Sequence, residues 1–310
     1  MGKSSRKIKL SLCTIIIAVF VVISIVITAT DYFGKTNIWN FIYTSVGLGK
    51  DAYKNDTRII FADVGQGDCM IIMSESETAV IDSGPYSASD ELIRYLLTLG
   101  IKEIDYLVAT HPHEDHMGSF ADIIDKIGAK RIIMQEANPS GDADAAAYER
   151  LKTAVSENGV AKAEPYINMK IDVGEASVTI IGPVGEYVGN ENNLSLILKV
   201  ETKALSFLIT GDAEKDSEQD LINAYGENLK ADVLKAGHHG SKTSTTDEFL
   251  KAVSPEYVVF CAGKGNTFGH PADEVLSRVN AFGGKILRTD YNGNITFIID
   301  DIYYDLKTDN

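Results

Sequence analysis

The sequence predicts an α+β domain of four layers, with two β-sheets packed face to face and helices on both outer faces. Three observations carry that prediction. Short apolar runs of strand length recur from residue 57 to the C-terminus. The first of these are separated by turn-length gaps, as in hairpins. Later ones alternate with helical periodicities, the pattern of interleaved strands and helices around a shared core. A chain of 310 residues that is 45% apolar has enough material for such a core.

The elements follow in order. Residues 10–30, LSLCTIIIAVFVVISIVITAT, carry no charge and are long enough for a helix to cross a hydrocarbon layer. Lys3, Arg6, Lys7 and Lys9 precede this run and Asp31 follows it. The excess of positive charge predicts a cytoplasmic basic tail (1–9) and a single-pass anchor in the cell membrane (10–30), with everything after it on the extracytoplasmic side. A cleaved signal peptide is the alternative and would give a secreted product, but its apolar region is usually about 7–15 residues. Residues 31–56, with Trp39, Phe41 and Tyr43, read as an interfacial linker. One catalytic domain is expected over 57–310.

Within it RIIFADV, CMIIM and TAVID form three neighbouring antiparallel strands around a GQGD turn. Residues 88–99 have helical periodicity and stop at Gly100. DYLVAT (105–110) is a buried strand running into HPHEDHMGS, read as a loop. A helix near 118–127, strand RIIM and a helix near 142–158 come next. The second half gives strands near 178–182, 194–200 and 205–210, a helix near 213–225 and strand DVLKA (232–236). It continues with a helix near 246–253, strand YVVFC (257–261), a helix near 271–282 and strands at 285–288, 294–299 and 302–305.

A formal net charge of -15 argues against a general nucleic-acid coat protein, whose affinity comes from Lys and Arg on phosphates. It does not exclude a nuclease, because bound metal can supply positive charge locally. Cys69 and Cys261 sit in no CxxC pattern and read as buried free thiols in strands, a single bond between them being the alternative.

All six histidines fall in loops after strand ends or between glycines: His111, His113, His116, His238, His239 and His270. None is left for the core or the general surface. His111 and His113, one residue apart after a strand, can point the same way, and neutral imidazole is the commonest metal ligand. Asp115 and His116 follow in the turn and can face a second ion. Asp212, after the apolar run FLIT, has two carboxylate oxygens with which to bridge two ions, and His238 also follows a strand. Such a set suits two divalent ions about 3.5–4 Å apart that share a hydroxide nucleophile.

The spacing HxHxDH, here His111, His113, Asp115 and His116, resembles the signature of the metallo-β-lactamase superfamily. The finer likeness is to the extracytoplasmic hydrolase domain of ComEC-type DNA-uptake proteins and its stand-alone relatives. It is carried by DVGQGD (63–68), IDSG (81–84), THPHEDHMG (110–118), LITGDAE (208–214), LKAGHHGSKTS (234–244) and GHP (269–271). The resemblance spans about residues 57–305 and implies an αββα fold. It implies His111 and His113 on one metal, Asp115, His116 and His238 on the other, and Asp212 between them. It sets His239 and His270 near substrate oxygens, and Asp63, Asp68 and Asp82 around the site. Asp63 and Asp82 read alternatively as turn formers, whereas the flanking Gly65 and Gly67 favour a close approach by Asp68.

Many superfamily members have a further His between the HxHxDH loop and the bridging Asp. No His occurs here from Met117 to Gly237, and the segment NENNLSL (190–196) offers Asn193 as an oxygen ligand or as a plain turn residue. The poorer nitrogen content brings Mn²⁺ into consideration beside Zn²⁺. His239, Ser241 and Lys242 are placed to hold phosphate oxygens, although Lys242 alone also reads as a solvated surface lysine. His239 or His270 would protonate a leaving group, and Asp115 completes the catalytic set.

Fold alone does not choose the reaction. The first expectation is an extracytoplasmic phosphodiesterase or nuclease acting on DNA, single-stranded DNA included. The alternatives are an esterase of small or cell-wall phosphodiesters, such as phosphorylcholine on teichoic acids, and a non-catalytic metal-binding partner of an uptake or wall complex. A lactamase is the weakest reading.

Overall fold

The computed structural model of the chain describes residues 21–26, 28 and 56–310. Residues 21–26 are helical, and among the described residues no helix is long and apolar enough to cross a membrane. The rest of the expected anchor (10–30), the basic tail (1–9) and the linker as far as residue 55 lie outside the described residues.

Three strands open the domain: β1 (Thr57–Phe61), β2 (Met70–Ser74) and β3 (Glu77–Ile81). They pair antiparallel in sequence order, as their short connections require. Helix α1 (Ser89–Thr98) crosses to β4 (Ile104–Val108), and α2 (Glu114–Met117) and α3 (Phe120–Lys126) lead to β5 (Ala129–Ile133). Helix α4 (Asp142–Glu157) then leads to β6 (Ala161–Ala163). The second half begins with β7 (Lys170–Val173), β8 (Ala176–Gly182), β9 (Ile197–Glu201) and β10 (Ser206–Ile209). From there α5 (Lys215–Tyr225), β11 (Val233–Lys235), α6 (Asp247–Val253), β12 (Tyr257–Phe260), α7 (Asp273–Phe282) and β13 (Lys285–Arg288) alternate. A single turn, α8 (Thr289–Asn292), precedes β14 (Ile295–Asp300) and β15 (Tyr303–Thr308).

The strands form two sheets, ordered β15-β14-β1-β2-β3-β4-β5-β6 and β13-β12-β11-β10-β9-β8-β7. The alternation of side chains along each strand fixes which face is which. Ile59, Phe61, Ile72 and Phe297 of the first sheet and Val178, Leu198, Phe207 and Val259 of the second belong to one buried cluster, the layer between the sheets. Residues of opposite parity in the second sheet, such as Ile197, Leu208, Leu234 and Val258, pack instead with Leu221, Phe249, Leu250, Val275 and Val279 of α5, α6 and α7. In the first sheet Ile60, Ile71, Val80, Leu107 and Ile132 are the buried opposite set, matched by buried Leu92, Leu96, Phe120, Ile123 and Leu151 on α1, α3 and α4. The four expected layers are present.

Two details differ from the expectation. HPHEDHMGS is not all loop: Glu114 to Met117 form a helical turn, with Glu114 and Asp115 in the first turn, where the helix dipole favours acidic residues. β6 and β7 were not expected. They are short edge strands whose outward lysines and aspartate hide the strand pattern and block further pairing. Cys69 and Cys261 are both free and buried.

Strands β1, β3 and β4 run the same way, as do β10 to β13. The loops that leave their C-terminal ends carry every histidine of the chain. That is the end of an α/β sheet where ligands are ordinarily bound.

Candidate metal centre

Each sheet contributes its own loops. From the first come the β1–β2 turn with Asp68, Asp82 just past β3, and the β4–α2 segment with His111, His113, Asp115 and His116. From the second come Asp212 after β10, His238 and His239 after β11, and His270 between β12 and α7. Side chains from the two sheets meet in two donor groups. Asp68, His116, Asp212 and His239 offer atoms that all lie within 4.8 Å of one another, and so do His111, His113 and Asp212. Asp212 belongs to both.

The imidazoles are held from behind. His116 Nδ1 donates to Asp82 Oδ2 at 2.8 Å, and Asp82 also accepts from the amide and hydroxyl of Thr110. His111 Nδ1 donates to Thr110 Oγ1 at 3.1 Å. His239 Nδ1 lies 2.9 Å from the carbonyl of Cys261. Every one of these contacts occupies Nδ1 and turns Nε2 inward, which fixes the tautomer a cation needs. His113 is the reverse: its Nε2 meets Glu191 Oε2 at 3.2 Å, which turns Nδ1 toward His111 Nε2 at 3.0 Å.

The inward atoms are close to one another and short of partners. His116 Nε2 is 3.2 Å from Asp212 Oδ1, and His239 Nε2 is 3.5 Å from Asp212 Oδ2 and 3.2 Å from Asp115 Oδ2. Asp68 Oδ1, His116 Nε2 and Asp212 Oδ1 are buried without a hydrogen-bond partner. Buried polar atoms are seldom left so. Three orphans converging from three loops, two of them carboxylate oxygens, fit a hard or borderline divalent cation. The donor set therefore passes the test for a metal centre on its own chemistry.

Electrostatics agree. Burial alone would drive His116 and His239 neutral, but the surrounding aspartates, Asp212 foremost, hold His116 well above 6.5 and push His239 up to about 10. Burial would raise Asp68 and Asp212, yet the cations beside them, Lys235 for Asp68 and His239 for Asp212, hold both below the usual carboxylate range. In the second group burial and the neighbouring His116 keep His111 well below 6.5. Protons thus occupy, in the metal-free protein, the place that positive charge is built to fill.

The other expected residues sit as follows. His238 lies 3.7 Å from Asp212 Oδ2, with Nδ1 3.4 Å from Glu214, and falls outside both donor groups; His239 and Asp68 stand inside. Both histidines are in the left-handed region, φ 47° and 53°, and two successive residues of that kind swing the second ring inward. Asp115 stands at the rim, its side chain about one-third exposed (32%). Asp63 is exposed and accepts from the Gly65 amide, a turn former away from the donors. Asn193 Oδ1 accepts from the Glu214 amide at 2.8 Å and so braces the loop after Asp212. Ser241 Oγ pairs with Thr243 Oγ1 at 3.1 Å. Lys242 and His270 line a cavity of about 550 Å³ beside the centre.

Two residues went unread in the sequence. Lys235 is 2% exposed, ion-pairs with Asp68 Oδ2 and donates to the Gly211 carbonyl at 2.8 Å. The signal was there: a lysine inside the apolar strand DVLKA must point at something acidic. Glu191, which backs His113, sits among polar loop residues and gave no signal.

The model of the family described as Metallo-beta-lactamase superfamily matches residues 62–264, and the chain belongs to that superfamily. It is 34% identical over 261 residues to ComE operon protein 3 of Bacillus subtilis (strain 168), covering 78% of this chain and 33% of that protein. It is 31% identical over 245 residues to Competence protein ComA of Neisseria gonorrhoeae, covering 79% of this chain and 32% of that protein. The chain therefore spans about a third of the length of these relatives. Among solved structures, the metallo-beta-lactamase fold protein YhfI from Bacillus subtilis superposes with a TM-score of 0.52 at 11% identity, covering 81% of this chain and 99% of that one. That likeness speaks for the fold.

Proposed function

We propose that this chain is a dinuclear metal-dependent phosphodiesterase that cuts DNA on the outer side of a membrane. The observation that carries it is the pair of donor groups sharing Asp212 at the mouth of the sandwich. His111, His113 and Asp212 would hold one ion, and Asp68, His116, Asp212 and His239 the other, with Asp115 at its edge. Two divalent ions in such a site supply an acidified water, its pKa lowered toward about 7, and offset charge on phosphoryl oxygens. Zn²⁺ and Mn²⁺ both suit a set of imidazoles and carboxylates.

The chain's own residues do the rest. Asp82 and Thr110 orient His116 and His111, and Lys235 keeps Asp68 ionised and aimed. Asp115 is the accessible carboxylate; His116 and His239 beside it hold it well below the usual carboxylate range, so it stays ionised and accepts a hydrogen bond that orients the attacking water. Burial, with His238 and His239 alongside, pushes His270 down to about 4, so at neutral pH it meets substrate uncharged. It then hydrogen-bonds a phosphoryl or leaving-group oxygen without adding a charge. His238, outside the donor groups, offers a second hydrogen-bonding ring beside it.

One of the curated relatives is named a competence protein, which supports a nucleic-acid substrate. The uncharged run at 10–30, with basic residues before it, supports an anchor that places the domain outside. The net charge of -15 supports a second reading, an esterase of small or cell-wall phosphodiesters, for which an acidic surface is less of an obstacle.

The test is hydrolysis of a single-stranded oligonucleotide and of bis-p-nitrophenyl phosphate by the full chain with Zn²⁺ or Mn²⁺. Metal-dependent cleavage of both is expected, falling on the order of 10²–10⁴-fold in Asp115→Ala. Cleavage of the small diester alone would move the assignment to the esterase, and activity unchanged by the substitution would remove Asp115 from the chemistry.

A further inference from the structure

Apart from His270, the cavity beside the centre is lined by residues that the chemistry above leaves idle. It runs from His270 and Lys242 past Lys264 to Arg288 and Tyr291. Phe268 is 69% exposed, and its ring lies over His270, centroids 5.9 Å apart and planes 25° apart. Tyr291 is 67% exposed, with the Arg288 guanidinium 4.3 Å over its face. Neither aromatic belongs to a buried core cluster of the domain. Among the described residues Lys242 and Lys264 form no ion pair, unlike the acids of the same wall. Asp290 is held by Arg288 at 2.6 Å, Glu274 is 3.3 Å from Arg278, and Asp273 opens helix α7, whose dipole offsets its charge. His270 Nδ1 is buried without a hydrogen-bond partner.

Tyr291 on the trough, Phe268 stacked on the His270 that lines it, and the two lysines without ion pairs match a ligand with flat faces joined by anionic links. Stacking on an aromatic ring accepts every base, while lysines follow the backbone. We infer that this trough is a subsite for single-stranded nucleic acid in which Phe268 stacks a base next to the scissile phosphate and Lys242 and Lys264 hold flanking phosphates. The inference rests on the phosphodiesterase reading for the identity of the scissile group, but the subsite itself is a binding claim. The lining carries three cations, Lys242, Lys264 and Arg288, and three carboxylates, Asp273, Glu274 and Asp290; with Asp290 and Glu274 each beside an arginine, Lys242 and Lys264 are the charges left to meet a polyanion.

Binding decides it separately from cleavage. The full chain is titrated, without added metal, into a fluorescein-labelled single-stranded oligothymidylate, and anisotropy is read for wild type, Phe268→Ala, Phe268→Trp and Lys264→Ala. Phe268→Ala should weaken binding about five- to a hundredfold and Phe268→Trp should restore it. Lys264→Ala should lower the steepness of the salt dependence by close to one phosphate contact, a slope change of about 0.7. An oligomer with abasic sugars should lose affinity for wild type and not for Phe268→Ala. Absence of binding by wild type, or equal affinity of wild type and Phe268→Ala, would overturn the subsite. Intact binding with no hydrolysis of any diester would instead overturn the phosphodiesterase reading and leave the subsite standing.

Discussion

Asp82 spends both carboxylate oxygens on Thr110 and His116 and has none for a cation, so it acts through His116. Asp82→Asn should leave the fold in place and weaken the ion on the His116 side about 10–100-fold, read by competition with a chelating dye. Unchanged affinity would mean that His116 needs no such support. Lys235 makes a different prediction. Replacing it with Met leaves Asp68 buried without its cation, a loss of about 3–5 kcal/mol in the metal-free protein. Added metal should recover much of it, because the ion then neutralises Asp68. Urea unfolding with and without metal checks this, and an equal loss in both conditions would contradict it. The histidines of the site were legible in the sequence because imidazoles confined to strand-end loops have few other roles. Which of His238 and His239 turns inward was not legible. That depends on two consecutive left-handed residues and on a carbonyl at Cys261, contributed by a different strand.

At the scale of elements, the site is a property of strand ends. Parallel strands β3–β4 and β10–β12 deliver their loops to one end, so residues far apart in sequence meet without any one loop being long. Most of these strands were legible because they are buried on both faces and read as continuous apolar runs. The edge strands β6 and β7 were not, since most of β6 and every second residue of β7 face water. The β1–β2 turn is fitted closely to α2: the Asp68 amide donates to the Asp115 carbonyl at 3.2 Å, and Gly67 packs directly against that same oxygen. A methyl group at Gly67 would strike it. Gly67→Ala should therefore cost on the order of 1–3 kcal/mol and displace Asp68 and Asp115 together, lowering metal content. Full metal loading in this variant would show that the turn and α2 are not coupled. By contrast Leu198→Ala, in the layer between the sheets, should cost about 2–5 kcal/mol while leaving the stoichiometry of bound metal intact.

For the whole molecule the governing fact is a buried excess of carboxylate at the mouth of the sandwich. It raises His239 to about 10 and His116 well above 6.5, so both carry protons at neutral pH when no metal is bound. A metal ion requires them neutral and must displace those protons. The sign follows: uptake releases protons, and apparent affinity rises with pH by about tenfold per unit for each proton displaced, until the pH passes the folded pKa. Calorimetric titrations at about pH 6, 7 and 8 in buffers of different ionisation enthalpy would show this release, and a flat profile would contradict it. The global charge of -15 was legible from composition but misleading about the site, because net charge says nothing of how Lys242, Lys264 and Arg288 come to line one cavity.

The decisive measurement is anomalous diffraction at the zinc edge from crystals of the full chain loaded with Zn²⁺. Two peaks are predicted. One should lie about 2.0–2.2 Å from donor atoms of Asp68, His116, Asp212 and His239, and the other at the same range from His111, His113 and Asp212. A single peak, or a second ion held by His238 with His239 turned away, would contradict the proposed centre.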